Sequence, residues 1–140
     1  MKQNTIYRSQ SVSDTERYGE LLASELCAGT VVALFGGLGM GKTAMVRGIA
    51  RGMRLHTEVS SPTFALVHDY GGSPALVHFD MYRVSGWEDL YSTGFFDYLH
   101  AGAILVVEWS ENIEGALPAD AIRIRISAEQ EGVRVIEREG

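Results

Sequence analysis

The segment Gly36-Gly37-Leu38-Gly39-Met40-Gly41-Lys42-Thr43 has the spacing G-x-x-x-x-G-K-[ST]. These residue types at this spacing hold phosphate. Glycines let successive backbone N–H groups turn inward to phosphate oxygens, in conformations that a β-carbon hinders. Lys42 supplies a point cation for the β- and γ-phosphates, and the Thr43 hydroxyl supplies a ligand for Mg²⁺. Such a loop predicts a nucleotide as the bound cofactor.

Turnover asks for more. A carboxylate must reach the metal, and another group must orient water. Two acids follow apolar runs: Asp80 after Ala75-Leu76-Val77-His78-Phe79, and Glu108 after Ile104-Leu105-Val106-Val107. Either suits Mg²⁺, which takes carboxylates and keeps several waters. Thr63, in Ser61-Pro62-Thr63-Phe64, falls where switch segments sense a γ-phosphate. Arg83 is either a cation for phosphate or a surface partner for an acid. Trp109 either walls the site or belongs to the core. His56, His68, His78 and His100 lack metal-ligand spacing, and His78 reads as a hydrogen-bonded structural histidine. Arg123, Arg125 and Arg134 read as the solvated face of a hairpin.

The surrounding elements must bring these groups together. Thr30–Phe35 is apolar and β-branched, a buried strand leading into the loop. Thr43–Arg51 has helical spacing of Met45, Val46, Ile49 and Ala50, so a helix N-terminus lies under the phosphates and adds its dipole. Upstream, Thr5–Ser9 suggests an edge strand. Ser13 with Glu16 suggests a capping box. The helix then predicted runs from Asp14 to Cys27, with Tyr18, Leu21, Leu22 and Leu26 inward and Gly29 as its stop. Cys27 reads as a half-buried thiol at its end. Downstream, 64–70 and 75–80 suggest a hairpin across Gly71-Gly72-Ser73-Pro74, followed by short helices over 86–92 and 95–100. Ala103–Glu108 reads as a central strand, Asn112–Pro118 as a loop or helical turn, and 122–126 with 132–138 as a terminal hairpin. The predicted fold class is α/β, a phosphate-loop NTPase-like mixed parallel and antiparallel sheet with helices on both faces. One domain spans 1–140.

The net charge of −6 disfavours a direct grip on nucleic acid, which depends on neutralising phosphates. One cysteine excludes an internal disulfide and fits a reducing compartment. No apolar run nears a membrane span of about 18 residues, and no signal core follows Met1. The expectation is a soluble cytoplasmic protein, away from membranes, monomeric or a weak oligomer when alone.

Taken together, Gly36…Gly41-Lys42-Thr43, Ser61-Pro62-Thr63-Phe64, His78-Phe79-Asp80-Met81-Tyr82-Arg83 and Glu108-Trp109-Ser110-Glu111 resemble the TsaE (YjeE) family. These are small bacterial ATPases of tRNA threonylcarbamoyladenosine biosynthesis. The resemblance runs from about Ser11 to the last hairpin. It implies ATP with Mg²⁺, Lys42 on the phosphates, and Thr43 and Glu108 as metal ligands. It implies Asp80 in hydrolysis, Thr63 in a switch-like loop and Trp109 near the nucleotide, with Ser11 and Thr15 as candidates for covering the base. It also implies action on the TsaD–TsaB complex, with tRNA met only indirectly. Two positions depart from the family pattern: Gly37 stands where Asp is usual, and Ala44 where a second Thr is usual. The alternatives left by the residues themselves are a small-molecule kinase and a nucleotide-dependent switch or binding module. The kinase would need an arginine-rich lid for which the sequence offers no segment. A guanine-specific switch would need an Asn-Lys-x-Asp element, which the sequence lacks.

Overall fold

The structure is a computed structural model that describes residues 4–36, 41–55 and 67–139. The elements in chain order are β1 (Asn4–Ser9), α1 (Val12–Ala23), β2 (Val31–Phe35), α2 (Lys42–Gly52), β3 (Val67–Asp69) and β4 (Leu76–Asp80). They continue with α3 (Gly86–Ser92), α4 (Phe95–His100), β5 (Ile104–Glu108), β6 (Ile122–Gln130) and β7 (Val133–Glu139). A 3₁₀ segment, Ser110–Ala116, follows β5.

Among the described residues the strands form one sheet in the order β1-β7-β6-β2-β5-β4-β3. The middle of the sheet, β6-β2-β5-β4, is parallel, and the flanking pairs are antiparallel. Period-two alternation divides the apolar strand residues between two cores. Val32, Leu34 and Val106 pack with Leu22, Met45 and Ile49 of α1 and α2. Ala33, Phe35, Leu105 and Val107 pack with Leu90 and Phe95 of α3 and α4. Burial on both faces explains why β2 and β5 carry unbroken apolar runs. This is the predicted mixed α/β sheet with helices on both faces.

The first helix differs from its prediction. Its N-cap is Ser11, whose Oγ accepts the Asp14 amide at 3.1 Å, while Asp14 Oδ2 accepts the Gln10 amide at 2.9 Å. Ser13 is inside the helix. Glu16 does not reach back to cap it; it pairs with Arg47 of α2 at 2.7 Å. The helix ends at Ala23, and beyond it the Cys27 amide turns to Thr30 Oγ1 at 3.2 Å. Leu21 lies on the solvent side of the helix, and Cys27 is exposed, not half-buried. Phe64–Leu66, predicted as the start of β3, lie outside the described residues.

Helices α1 and α2 touch backbone to backbone. A β-carbon on Gly48 would overlap the Glu16 carbonyl oxygen, and one on Gly19 would overlap the Met45 carbonyl oxygen. Gly48→Ala is therefore expected to cost about 3 kcal/mol, the upper range for overpacking, read as a shifted denaturant midpoint. Glu16 adds an electrostatic clamp: the hydrogen bond from Arg47 holds its carboxyl below the usual glutamate range. A depressed folded value stabilises above the unfolded glutamate value and is lost as pH falls through the folded one. Glu16→Gln should thus lower thermal stability near neutrality, and the gap to the unmodified protein should close in acid.

Candidate functional site

The loop strand β2 ends at Phe35, and α2 begins at Lys42, with Gly41 as its left-handed N-cap. Gly36 has φ +137°, and a β-carbon there would strike the Ile126 carbonyl oxygen of β6. Only glycine fits where the chain leaves the sheet at this point. Its carbonyl accepts a hydrogen bond from Lys42 Nζ at 2.8 Å. The ammonium also lies 4.1 Å from the centre of the Trp109 ring, within cation–π range. Lys42 is only 4 % exposed. Burial pushes its ammonium below the ordinary lysine value, while Glu108, Glu111 and Asp80 oppose that shift.

Parallel pairing of β4 and β5 sets Asp80 opposite Glu108. Both acids emerge at the carboxyl-terminal edge of the sheet, where open α/β sheets gather ligands. Glu108 is buried, and its Oε2 accepts from His78 Nε2 at 2.5 Å. Asp80 is half-buried, and its Oδ1 accepts the Tyr82 amide at 2.9 Å. The next residue after β5, Trp109, takes a left-handed conformation at φ 60°, ψ 41°. For a tryptophan this costs on the order of 1 kcal/mol. The turn is held by Ser110 Oγ, which donates to the Val107 carbonyl at 2.9 Å. Asn112 Nδ2 ties it to the neighbouring strand end, donating to the Met81 carbonyl at 2.7 Å. The strained turn lays the indole between Lys42 and Tyr82, whose ring centre is 4.9 Å away.

A hollow of about 320 Å³ lies beside the start of α2. Ser11, Thr15, Gly41 and Ala44 line it, with Gly132 from the β6–β7 turn and Arg134 from β7. Thr15 Oγ1 is already 2.7 Å from Ser9 Oγ, so Thr15 offers its methyl rather than its hydroxyl; Cγ2 faces Gly41. Arg134, partly exposed, lines this hollow from β7. Arg123 pairs with Glu114, and Arg125 is exposed over the Phe35 ring.

Of the residues singled out in the sequence, Gly36, Lys42, Asp80, Glu108 and Trp109 gather at one sheet edge. Thr43 follows Lys42 in the first turn of α2. Ser11 and Thr15 flank the neighbouring hollow. Gly37, Leu38, Gly39, Met40 and Thr63 lie outside the described residues. Sequence reasoning missed Glu111, whose Oε2 accepts the Gly36 amide at 3.1 Å. It also gave no partner to His78, which is fully buried between Glu108 and Tyr70.

The donors suit a hard cation. Thr43 and Glu108 offer oxygen, and Glu108 Oε1 has no partner among the described residues. Mg²⁺ takes one or two carboxylates with phosphates and waters. The lack, among the described residues, of a cluster of three or more acid, histidine or cysteine ligands is therefore compatible with such a site. No helix among them is long and apolar enough to cross a membrane.

Known proteins share both the sequence and the fold. The model of the family described as "Threonylcarbamoyl adenosine biosynthesis protein TsaE" matches residues 9–138. The tRNA threonylcarbamoyladenosine biosynthesis protein TsaE of Treponema pallidum is 36% identical over 128 residues, covering 91% of this chain and 95% of its own. The Streptomyces coelicolor protein of the same description is 41% identical over 111 residues, covering 77% of this chain and 75% of its own. The crystal structure of Bacillus subtilis YdiB superposes with a TM-score of 0.84 at 28% identity, covering all of this chain (100%) and 87% of that one.

Proposed function

Because the chain belongs to the TsaE family, we propose that it is a Mg²⁺-dependent ATP-binding and ATP-hydrolysing protein of tRNA threonylcarbamoyladenosine biosynthesis. It acts in the cytoplasm on the TsaD–TsaB complex and meets tRNA only through that complex. The observation that carries the reading is the Lys42 ammonium. It is buried at the start of α2, fixed by the Gly36 carbonyl and the Trp109 ring, and under the influence of three carboxylates. A desolvated cation beside a helix N-terminus is suited to a polyphosphate.

Under this reading Gly36–Thr43 wrap the phosphates, and Lys42 meets the β- and γ-phosphates. Thr43 and Glu108 hold the metal, which when bound neutralises charge on the phosphate oxygens. Asp80 orients the attacking water, and Thr63 senses the γ-phosphate. Trp109 covers the phosphate side. Ser11 and Thr15, with the hollow beside them, receive the base, and Arg134 closes its rim.

The decisive experiment is capture of the purified TsaD–TsaB complex by this protein in ATP and in ADP. Nucleotide-dependent capture is expected; equal capture in both states, or none, would refute the partner assignment. A direct optical test is available as well. The chain has two tryptophans, so Trp87→Phe leaves Trp109 as sole reporter. Its emission is expected to change saturably on titration with MgATP, and a flat trace would remove the nucleotide from its side.

A further inference from the structure

A hydrogen-bonded chain leads from Glu108 on β5 through β4 towards β3, away from β2. His78 Nε2 is 2.5 Å from Glu108 Oε2, His78 Nδ1 is 3.5 Å from the Tyr70 hydroxyl, and that hydroxyl is 3.1 Å from His68 Nδ1. His78 is wholly buried, Tyr70 nearly so, and His68 half-buried. Antiparallel pairing of β3 and β4 sets His68 opposite His78, and Tyr70 follows the last residue of β3.

The carboxylate fixes the direction of the first bond, and a neutral His78 would fix the others. An ionised carboxylate only accepts, so His78 Nε2 carries a proton and donates it to Glu108. In a neutral imidazole Nδ1 is then the acceptor, and the Tyr70 hydroxyl donates to it. The Tyr70 oxygen in turn accepts from His68 Nδ1–H. These directions are mutually consistent. Oε2 of Glu108 is thereby held by His78.

We infer that His78, held by Tyr70, is the positioning residue that orients the Glu108 carboxylate towards the metal ion. The inference rests on the assignment of Glu108 as a metal ligand. Partners behind metal ligands fix ligand orientation, and their loss commonly weakens metal binding by about 10–100-fold.

The test measures Mn²⁺, a paramagnetic stand-in for Mg²⁺, binding to the protein–ATP complex by electron paramagnetic resonance. ATP affinity without metal is measured alongside. His78→Ala is expected to weaken Mn²⁺ binding about 10–100-fold and to leave metal-free ATP affinity unchanged. His78→Gln should recover most of the loss, because its amide nitrogen can again donate to Oε2. Tyr70→Phe removes one oxygen without emptying the core, and it keeps the test decisive if His78→Ala does not fold. It should weaken Mn²⁺ at least about threefold, and an unchanged affinity in Tyr70→Phe overturns the inference. Glu108→Gln separates the two levels. If it binds Mn²⁺ like the unmodified protein, the metal assignment itself is wrong. If it loses Mn²⁺ while His78→Ala retains it, only the positioning role is wrong.

Discussion

Replacing Lys42 with methionine is expected to weaken ATP binding about 100-fold or more, equivalent to about 2.7 kcal/mol. Removal of one partner from a buried, hydrogen-bonded charge contact typically costs 2–5 kcal/mol or more, so the figure is conservative. The same substitution is expected to stabilise the ligand-free fold. Burial holds the Lys42 ammonium below its ordinary value. A base with a lowered folded value binds its proton more tightly in the unfolded chain, so its charge opposes folding at neutral pH. That penalty fades as pH rises through the folded value towards the ordinary lysine range. Lys42→Met has no such proton, and methionine retains most of the packed stem. Its denaturant midpoint should exceed that of the unmodified protein near pH 7, and the difference should shrink in alkali. Isothermal calorimetry with ATP and denaturant titrations at both pH values check the two halves. A variant that binds ATP normally would remove the phosphate-loop assignment.

Asp80→Asn should show the opposite profile, with ATP affinity kept within about threefold and hydrolysis reduced about 100-fold. Loss of a positioned acid or base in this role typically costs 10²–10⁴-fold. The asparagine Oδ1 can still accept the Tyr82 amide, so the turn after β4 survives and only the charge is lost. Asp80 lies opposite Glu108 but lacks the histidine that holds that neighbour, so it remains available to water. Phosphate release measured under saturating MgATP, beside a binding isotherm, separates the two effects. Wild-type turnover by Asp80→Asn would transfer the role to another acid, with Glu111 the nearest candidate by its contact with Gly36.

How far the sequence reveals this site depends on how local each interaction is. The phosphate loop is a contiguous octet, so its spacing can be read directly. The strands bearing Asp80 and Glu108 are apolar on both faces, and that pattern is equally visible. The start of α1 is ambiguous because Ser11 and Ser13 each have an acid three residues later. Nothing local decides between them. Glu16 is drawn instead to Arg47, 31 residues away, and this leaves Asp14 to serve the cap. The bond from His78 to Glu108 spans 30 residues and exists only because β4 lies beside β5. Arg134 reaches the hollow because β7 pairs with β1 and sets Arg134 opposite Ser9, just before α1 begins, which no single-strand periodicity encodes.

The glycine contact between α1 and α2 has a consequence for how nucleotide recognition is divided. One helix is capped by Ser11, beside the hollow, and the other starts at Lys42, where the phosphates would lie under the proposed function. With Gly19 and Gly48 bringing their main chains into direct contact, the two starting points form a single splint. The span between them is set like the gap of a fixed calliper. Under the proposed function, a ligand of the wrong length would lose contact at one end, because close packing at Gly19 and Gly48 resists sliding of the helices.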